Sequence, residues 1–296
     1  MPTVSGNFGQ IMQIAPIKEL SPYIKHYLFL ESDKTPSKRL RLFSDGNTGM
    51  VFTFCGHLTS NNKGNNLLSY PNSFLYGQIS EYKDLYVTGK TSIAIVVFHP
   101  FGINHLLGIS ANDIRDHIIP IDDIFGRQGS LLFETLSEQS APEIKCQLLN
   151  TFFLEQATKA SWSSPPLIRL TLNYILQKRG AISVNQLVKY TGYTERHIER
   201  LFNESIALTP KRFGNIVKLH FFLNLLNYKS DQSNMTELCY EAGYADQSHL
   251  IREFKKYTGM TPTQYLNNTS RLAINFMEIS PDEVQMSGLY NSQRNS

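Results

Sequence analysis

The pattern of apolar and polar positions changes character near residue 160. Before it, short apolar runs predict strands at residues 50–54, 73–76, 85–87 and 92–98, separated by turns at 45–47, 61–66 and 88–90. After His99-Pro100 the spacing becomes helical, over residues 101–107, 131–138 and 142–158. The first half is therefore predicted to be a mostly antiparallel β domain with helices at its C-terminal end.

After residue 165 the apolar spacing is helical, and one pattern occurs twice. A leading helix is predicted at 165–179, and the first copy then runs from Val184 to the pair Thr209-Pro210. The second copy keeps the frame and closes at Thr261-Pro262. Leu187, Gly192, Tyr193, Ile198 and Phe202 recur as Leu238, Gly243, Tyr244, Leu250 and Phe254.

Each copy predicts two helices joined by a sharp turn. Gly192 and Gly243 end the first helix, where a positive φ is readily adopted. Thr194 and Asp246 are predicted to cap the second helix at its N-terminus. One face of that helix is apolar: Ile198, Leu201, Phe202 and Ser205 in the first copy, and Leu250, Phe254 and Tyr257 in the second. The sequence therefore predicts two helix-turn-helix modules.

The opposite face of each second helix is polar and similar in the two copies. It carries Arg196, Arg200 and Asn203 in the first copy and Ser248, Arg252 and Lys255 in the second, all spaced i, i+4, i+7 and related by a 52-residue offset. His197 and His249 flank these two stripes. A solvated helix face is the simpler interpretation of one such stripe. Its duplication favours contact with DNA, because arginine pairs bidentately with guanine or phosphate.

A long helix is predicted between the copies, over residues 210–227. Pro210 suits the first position of a helix, and the residues that follow are apolar on almost every side. Eighteen residues give about 27 Å of helix. This length approaches the roughly 34 Å between successive major grooves on one side of B-DNA.

The repeated pattern resembles the AraC-type transcriptional regulators, and residues 238–265 carry the resemblance most sharply. It implies a bacterial, double-stranded-DNA-binding regulator, with RNA polymerase as a further partner if the protein is an activator. It also implies base-reading positions at Arg196, His197 and Arg200 and at Gln247, Ser248 and Arg252. With Thr194, Asn203, His249 and Lys255 from the helical spacing, these residues form the predicted DNA-binding set. Ile206-Ala207-Leu208 departs from the family, which usually has a glycine before the closing Thr-Pro.

The N-terminal half, in segments between residues 42 and 122, resembles a sensor-like domain found in some of these regulators. In that family such domains bind effectors, form dimers, or do both. The resemblance therefore implies a small-molecule effector or a homodimer as partner. The predicted helix at 142–158 has an apolar stripe that suits either a dimer interface or a cover for the sheet.

Composition agrees with a nucleic-acid partner. Residues 165–268 hold 13 Lys and Arg against 8 Asp and Glu, a local charge of +5 in a chain whose total is +3. The three cysteines, Cys55, Cys146 and Cys239, show no metal spacing and are interpreted as reduced, buried thiols. No apolar run is long enough to span a membrane, so the expected location is the cytoplasm.

Two other functions remain open for the N-terminal half. One is an enzyme or a metal-binding cupin, suggested by His26, His57, His99, His105 and His117, although none has side-by-side ligand spacing. The other is a DNA-repair sensor, which needs an activated cysteine that the setting of Cys55 does not offer. No catalytic residue, metal or cofactor is therefore predicted.

These observations predict an α+β chain with three parts. Residues 1–160 form the sensor- or dimerisation-like domain, residues 165–268 an all-α DNA-binding domain, and residues 269–296 a partly disordered tail. The Ser- and Pro-rich stretch 160–166 marks the domain boundary. An apolar patch at 272–277 could form a strand that returns to the body of the protein.

Overall fold

The structure is a computed structural model that describes residues 9–33, 37–61, 67–159, 166–229, 234–267, 269–273 and 275–279. Its strands are β1 (Gln10–Ile14), β2 (Ile24–Ser32), β3 (Lys38–Leu42), β4 (Thr48–Asn61), β5 (Leu67–Ser69), β6 (Ser73–Tyr76), β7 (Lys83–Phe98), β8 (Ile118–Pro120), β9 (Thr269–Ala273) and β10 (Phe276–Ile279). Its helices are α1 (Gly102–Leu107), α2 (Ile121–Phe125), α3 (Arg127–Ser137), α4 (Pro142–Lys159), α5 (Pro166–Gln177), α6 (Val184–Thr191), α7 (Glu195–Ile206), α8 (Pro210–Lys229), α9 (Met235–Glu241), α10 (Gln247–Thr258) and α11 (Pro262–Asn267).

The strands of the described chain form one antiparallel sheet built around β7. One edge of β7 pairs with β4 along most of its length, while the other edge pairs with β3 in its first half and with β2 in its second half. The sheet continues from β4 to β6 and β8 on one side and from β3 to β10 and β9 on the other. All pairings are antiparallel, as the sequence predicts.

One predicted turn in this sheet is wrong. Residues 88–90 do not separate two strands, because β7 runs through them without a break. Gly89 has a φ of 83°, and the pairing with β4 shifts register beside it. The turn-forming residues therefore produce a β-bulge that bends a long strand.

The two faces of the sheet have different environments. Ala94, Val96 and Phe98 of β7 face a core that is completed by α1 to α4, including Leu149 and Phe153 of α4. The helix predicted at 142–158 thus covers the sheet. The alternating residues Ile93 and Ile95 face the other side, where a second apolar cluster borders a cavity.

The C-terminal helices form their own core, to which the β domain contributes. Its central residues come from α5, α7, α8 and α10, and include Phe202, Phe222 and Phe254 with no exposed surface. Phe43 and Phe101 of the N-terminal half and Met277 and Ile279 of β10 are buried in the same cluster. The two domains are therefore in extensive apolar contact.

Strands β9 and β10 pair as a hairpin that joins the β sheet. β10 pairs with β3, with Phe276 opposite Leu42, and with β9. The apolar patch at 272–277 is the sequence signal for this hairpin, whereas residues 280–296 lie outside the described residues.

The predicted fold class is confirmed: an antiparallel β domain is followed by an all-α domain with two helix pairs and a long connecting helix. Several elements gave no clear signal in the sequence, among them β2, which is buried over most of its length and lacks a polar alternation. Within the described chain, no helix is both long and apolar enough to cross a bilayer.

Candidate nucleic-acid interface

The first helix-turn-helix module consists of α6 and α7. Ser183 and Gln186 form a capping box at the start of α6, and the helix ends at Gly192 in the left-handed conformation. The hydroxyl of Thr194 accepts a hydrogen bond from the backbone N–H of His197 at 3.4 Å and so caps α7. The glycine and cap predictions for this module are confirmed.

The second module, α9 and α10, has the same construction. Gly243 adopts a φ of 81° in the turn, and the Asp246 carboxylate accepts from the N–H of His249 at 2.7 Å. Leu250, Phe254 and Tyr257 of α10 are buried, as are Ile198, Leu201, Phe202 and Ser205 of α7. Both second helices thus bury the face that their spacing predicts.

The predicted polar stripes lie on the solvent side of α7 and α10. All six of their residues are exposed: Arg196, Arg200, Asn203, Ser248, Arg252 and Lys255. Arg200 lies 3.9 Å from Glu204, but both side chains are more than 60% exposed. Such a surface ion pair is worth little, so it leaves the guanidinium available for another partner.

The remaining predicted residues make contacts within their own modules. The ring of His197 stacks on Tyr193 with centroids 4.9 Å apart, and the ring of His249 lies 5.6 Å from that of Tyr244. The amide of Gln247 donates to the Thr236 hydroxyl at 2.6 Å. Gln247 therefore connects α10 to α9, whereas His197 and His249 contact the turn that precedes their own helix.

Helix α8 holds the two modules together. Its 20 residues correspond to about 30 Å. Its apolar side chains enter the core shared by both modules, and Lys218 places its ammonium 4.1 Å from the centre of the Tyr244 ring. Asn215 donates to Glu253 of α10 at 3.2 Å. These contacts fix α10 relative to α8 and hence relative to α7.

The β domain contacts the C-terminal ends of both solvent-facing helices. The backbone N–H of Ala111 donates to the carbonyl of Glu204 in α7 at 3.1 Å. The guanidinium of Arg41 donates to the carbonyl of Thr258 in α10 at 3.3 Å. The N-terminal halves of α7 and α10, which carry Arg196, Arg200, Ser248 and Arg252, remain exposed.

Two further contacts, which no pattern in the sequence predicted, connect the β domain to α8. Arg212 donates to the carbonyl of Ser80 at 2.7 Å, and the ring of His220 donates to the carbonyl of Ser44 at 3.1 Å. Burial lowers the pKa of His220, so its ring is neutral there. A polar ring inside an apolar helix is the one signal that could have pointed to this contact.

The histidines and cysteines of the described residues show no arrangement suited to the alternative functions. No group of three or more metal-ligating side chains is found among them. Burial raises the pKa of Cys146 to about 12 and also raises that of Cys239, the opposite of an activated nucleophile. Cys55 is only half-buried, so the prediction of a buried thiol is wrong at that position.

Two family models match the chain, one in each domain. Residues 187–268 match a helix-turn-helix domain, and residues 12–120 match a domain of unknown function (DUF6597). The first match covers both modules and α8. The second covers most of the strands of the sheet.

Curated relatives of the chain are named as transcriptional regulators. HTH-type transcriptional regulators of Staphylococcus aureus (strain N315) and Haemophilus influenzae are 27% identical over 84 residues and 29% identical over 87 residues. These matches cover 28% and 29% of this chain, and 11% and 28% of the respective relatives.

Two solved structures illustrate the range of structural likeness. ToxT from Vibrio cholerae aligns over 81% of this chain and 97% of its own, with a TM-score of 0.46 and 11% identity. A probable AraC family regulator from Rhodopseudomonas palustris aligns over 34% of this chain and 94% of its own, with a TM-score of 0.31 and 25% identity. The paired modules at residues 187–268 thus form a helix-turn-helix domain that is similar to those of AraC-type transcriptional regulators.

Proposed function

We propose that the whole protein is a sequence-specific regulator of transcription that places α7 and α10 in two successive major grooves of double-stranded DNA. The observation that supports this most directly is the pair of matched, exposed stripes on helices whose opposite faces are buried. The N-terminal part of a recognition helix is the part that meets base edges, and here that part is free of the β domain.

The residues of the stripes suit three kinds of contact with DNA. Arg200 and Arg252 occupy matched positions in the two modules and suit bidentate contact with guanine. Arg196 and Lys255 suit phosphate or base contact, and Asn203 and Ser248 suit other base edges. Thr194, Gln247, His197 and His249 set the position of each helix through the contacts described above.

The β domain is proposed to regulate rather than to catalyse. Its contacts with α7, α8 and α10 bring it into position to alter how these helices meet DNA. A small-molecule effector or a second copy of the chain could act through them, provided that it binds one arrangement of the domains better than another. Contact with RNA polymerase is a further proposal that applies if the protein is an activator.

The test begins with a site selected from random duplex DNA by the full-length protein. Arg252→Ala and Arg200→Ala are then titrated against the selected site and against random DNA. If each arginine reads a base, the loss on the selected site is about 1–3 kcal/mol, with preference relaxed at one position of the site. Loss on random DNA should be smaller.

Arg169→Ala is the matched control, since it removes the same charge from an exposed position on α5. Arg169 belongs to neither stripe, and it lies close enough to His105 of the β domain to lower the pKa of that ring. This variant should bind the selected site like the wild type. If Arg200→Ala and Arg252→Ala both bound the selected site with wild-type affinity, the stripes would not be part of the DNA interface, and the proposal would be overturned.

A further inference from the structure

The face of the sheet opposite α1 to α4 borders a cavity of about 900 Å³. Cavities that hold drug-sized ligands usually measure about 300–1,000 Å³. Residues of the eight strands β1 to β8 and of the hairpin β9–β10 line this one. It is separate from the DNA-facing stripes, which lie on α7 and α10.

The floor of the cavity consists of apolar side chains aligned across the strands. Pairing registers place Leu28, Ile95, Val51 and Phe74 in one row across β2, β7, β4 and β6. Leu40 and Leu85 form part of another row, on β3 and the first half of β7. All six residues line the cavity, so most of a bound molecule would contact hydrocarbon.

The next row forms a polar end. His26, Val97, Gly49 and Tyr76 are neighbours across the same four strands. The Tyr76 ring lies across Gly49, where a Cβ atom would meet the ring at 2.5 Å. The side chains of His26 and Tyr76 both line the cavity. Glycine at position 49 is therefore what lets the Tyr76 hydroxyl reach the middle of the row.

The electrostatics of this end favour an uncharged ligand. Burial and the Lys25 ammonium lower the pKa of His26 to about 4, so the ring is neutral at physiological pH. Burial raises the pKa of Tyr76, whose hydroxyl therefore stays protonated and can donate a hydrogen bond. Lys25 itself lies 3.7 Å from the Asp45 carboxylate.

The charged residues elsewhere around the cavity also favour an uncharged ligand. At the other end, Arg41 pairs with Asp84 at 2.7 Å. Lys83 is exposed at the rim, where an anion would remain in water. A buried carboxylate in the ligand would thus lose its hydration without meeting an uncompensated cation.

The walls of the cavity also contact the DNA-binding domain. Asp45 lines the cavity, while its neighbours Ser44 and Gly46 touch His220 and Phe213 of α8. Tyr82 lines it as well and packs against Gly259 at the end of α10. Two short segments, residues 44–46 and 80–82, therefore contact the cavity on one side and the helical domain on the other.

We propose that this cavity binds an uncharged, mainly apolar small molecule whose hydroxyl or carbonyl oxygen pairs with Tyr76 and His26. The proposal of a binding site depends on the cavity alone. The further proposal that ligand binding regulates DNA binding, through segments 44–46 and 80–82, rests on the proposed function. A molecule of this kind spans the Leu28–Phe74 row and places its single polar group at the His26–Tyr76 row.

The probe for the test is Nile red, an uncharged dye with a ring carbonyl, titrated by fluorescence into the full-length protein. Ile95→Trp fills the middle of the floor, because Ile95 is half-buried and faces the cavity. It should weaken probe binding at least about tenfold by occupying the space. If this variant fails to fold, Ile95→Phe at the same position replaces it. Leu154→Trp, at a half-exposed position on α4, is the matched control and should bind like the wild type.

A second variant tests the polar end. Tyr76→Phe keeps the ring and removes the hydroxyl, and should weaken Nile red binding about 3- to 10-fold, the effect of one hydrogen bond. The anionic dye 8-anilinonaphthalene-1-sulfonate should bind more weakly than Nile red. Tighter binding of the anion, if lost in Ile95→Trp, would overturn the ligand class.

Two further outcomes separate this proposal from the proposed function. Equal Nile red affinity in the wild type and Ile95→Trp would overturn the cavity as a binding site, whatever the protein does with DNA. Titrating the selected DNA with the same Ile95→Trp preparation tests the other proposal independently. Loss of dye binding with retained DNA binding supports both.

Discussion

At the residue scale, Gly192 and Gly259 both follow the last residue of a helix, but their surroundings differ. Gly192 has a φ of 75° and no atom near the position of a Cβ, whereas Gly259 has a φ of 74° and would place a Cβ 2.5 Å from Tyr82 and 2.9 Å from Arg41. Ala207 shows that a methyl group can be accommodated at such a helix end, with a φ of 55° at the end of α7.

We expect Gly259→Ala to be more damaging than Gly192→Ala. Gly192→Ala introduces backbone strain alone, about 1–2 kcal/mol of lost stability. Gly259→Ala adds displacement of Tyr82 and Arg41, and with it loss of the contact between the β domain and α10. Chemical denaturation of both variants measures the difference, and equal losses would show that the Tyr82 contact does not constrain position 259.

His26 gives a prediction for pH dependence. Its pKa in the folded protein is about 4, below the ordinary 6.5. Between these two pH values the His26 ring is therefore mostly protonated in the unfolded chain and mostly neutral in the folded protein. Stability is therefore lost as pH falls from 6.5 towards 4, by about 1–2 kcal/mol between pH 7 and pH 5 from this residue. His26→Gln should flatten that part of the stability curve, measured by urea denaturation at several pH values.

The exposed His57 provides the control for this experiment. His57→Gln should retain the wild-type slope. His99, His105 and His220 also have pKa values lowered mainly by burial, so some slope remains in His26→Gln. An unchanged slope in His26→Gln would show that His26 takes up its proton as easily in the folded protein as in the unfolded chain.

At the element scale, the caps of α7 and α10 are predicted to differ in strength. Asp246 accepts the N–H of His249 at 2.7 Å with a charged oxygen, whereas Thr194 accepts the N–H of His197 at 3.4 Å with a neutral one. Charge-assisted hydrogen bonds are the stronger class, and the N-terminus of a helix favours negative charge.

Asp246→Ala should therefore cost about 1–2 kcal/mol of stability and Thr194→Ala about half as much. Asp246→Asn keeps an oxygen acceptor without the charge and should recover about half of the loss, which separates the cap from the effect of charge. Thermal unfolding of the three variants provides the comparison. A larger loss of stability in Thr194→Ala than in Asp246→Ala would contradict the prediction, because the hydrogen-bond distances and charges would then not determine which cap is stronger.

The elements also show what local pattern can predict. The helices of the two modules, their capping residues and their buried faces were predicted correctly because each signal lies within one or two helical turns. The long strand β7 was divided at residues 88–90, since Gly89 signals a break whether the chain turns back or forms a bulge. The pairing of β7 with β4 on both sides of Gly89 makes this position a bulge rather than a turn.

At the scale of the whole molecule, the DNA-binding domain shares its core with the β domain and the C-terminal hairpin. Phe43, Phe101, Met277 and Ile279 are buried against its helices. The fragment 163–268 is still predicted to fold and to bind DNA, because α5 to α11 supply most of that core. Its helices should be several kcal/mol less stable than in the full-length protein. Burial of each of these four side chains contributes about 1.5–3 kcal/mol, which the fragment loses.

Circular dichroism and DNA titration of this fragment test the domain boundary. A helical spectrum, cooperative melting and retained DNA affinity are the expected results. An unfolded fragment beside a well-folded full-length protein would place the boundary elsewhere and make the β domain part of the folding unit.

The sequence by itself determined the two modules, their exposed stripes and the linking helix. Helical periodicity, caps and turns depend on residues that are close together in the chain, so they can be recognised without the tertiary structure. Tertiary structure alone decided the cavity, the contacts of Arg41, Arg212 and His220 with the other domain, and the attachment of β10 to β3. The row of His26, Val97, Gly49 and Tyr76 shows the physical reason. Its members lie as far as 71 positions apart in the chain, and they become neighbours only through the register of strand pairing, which is set by the packing of the whole sheet.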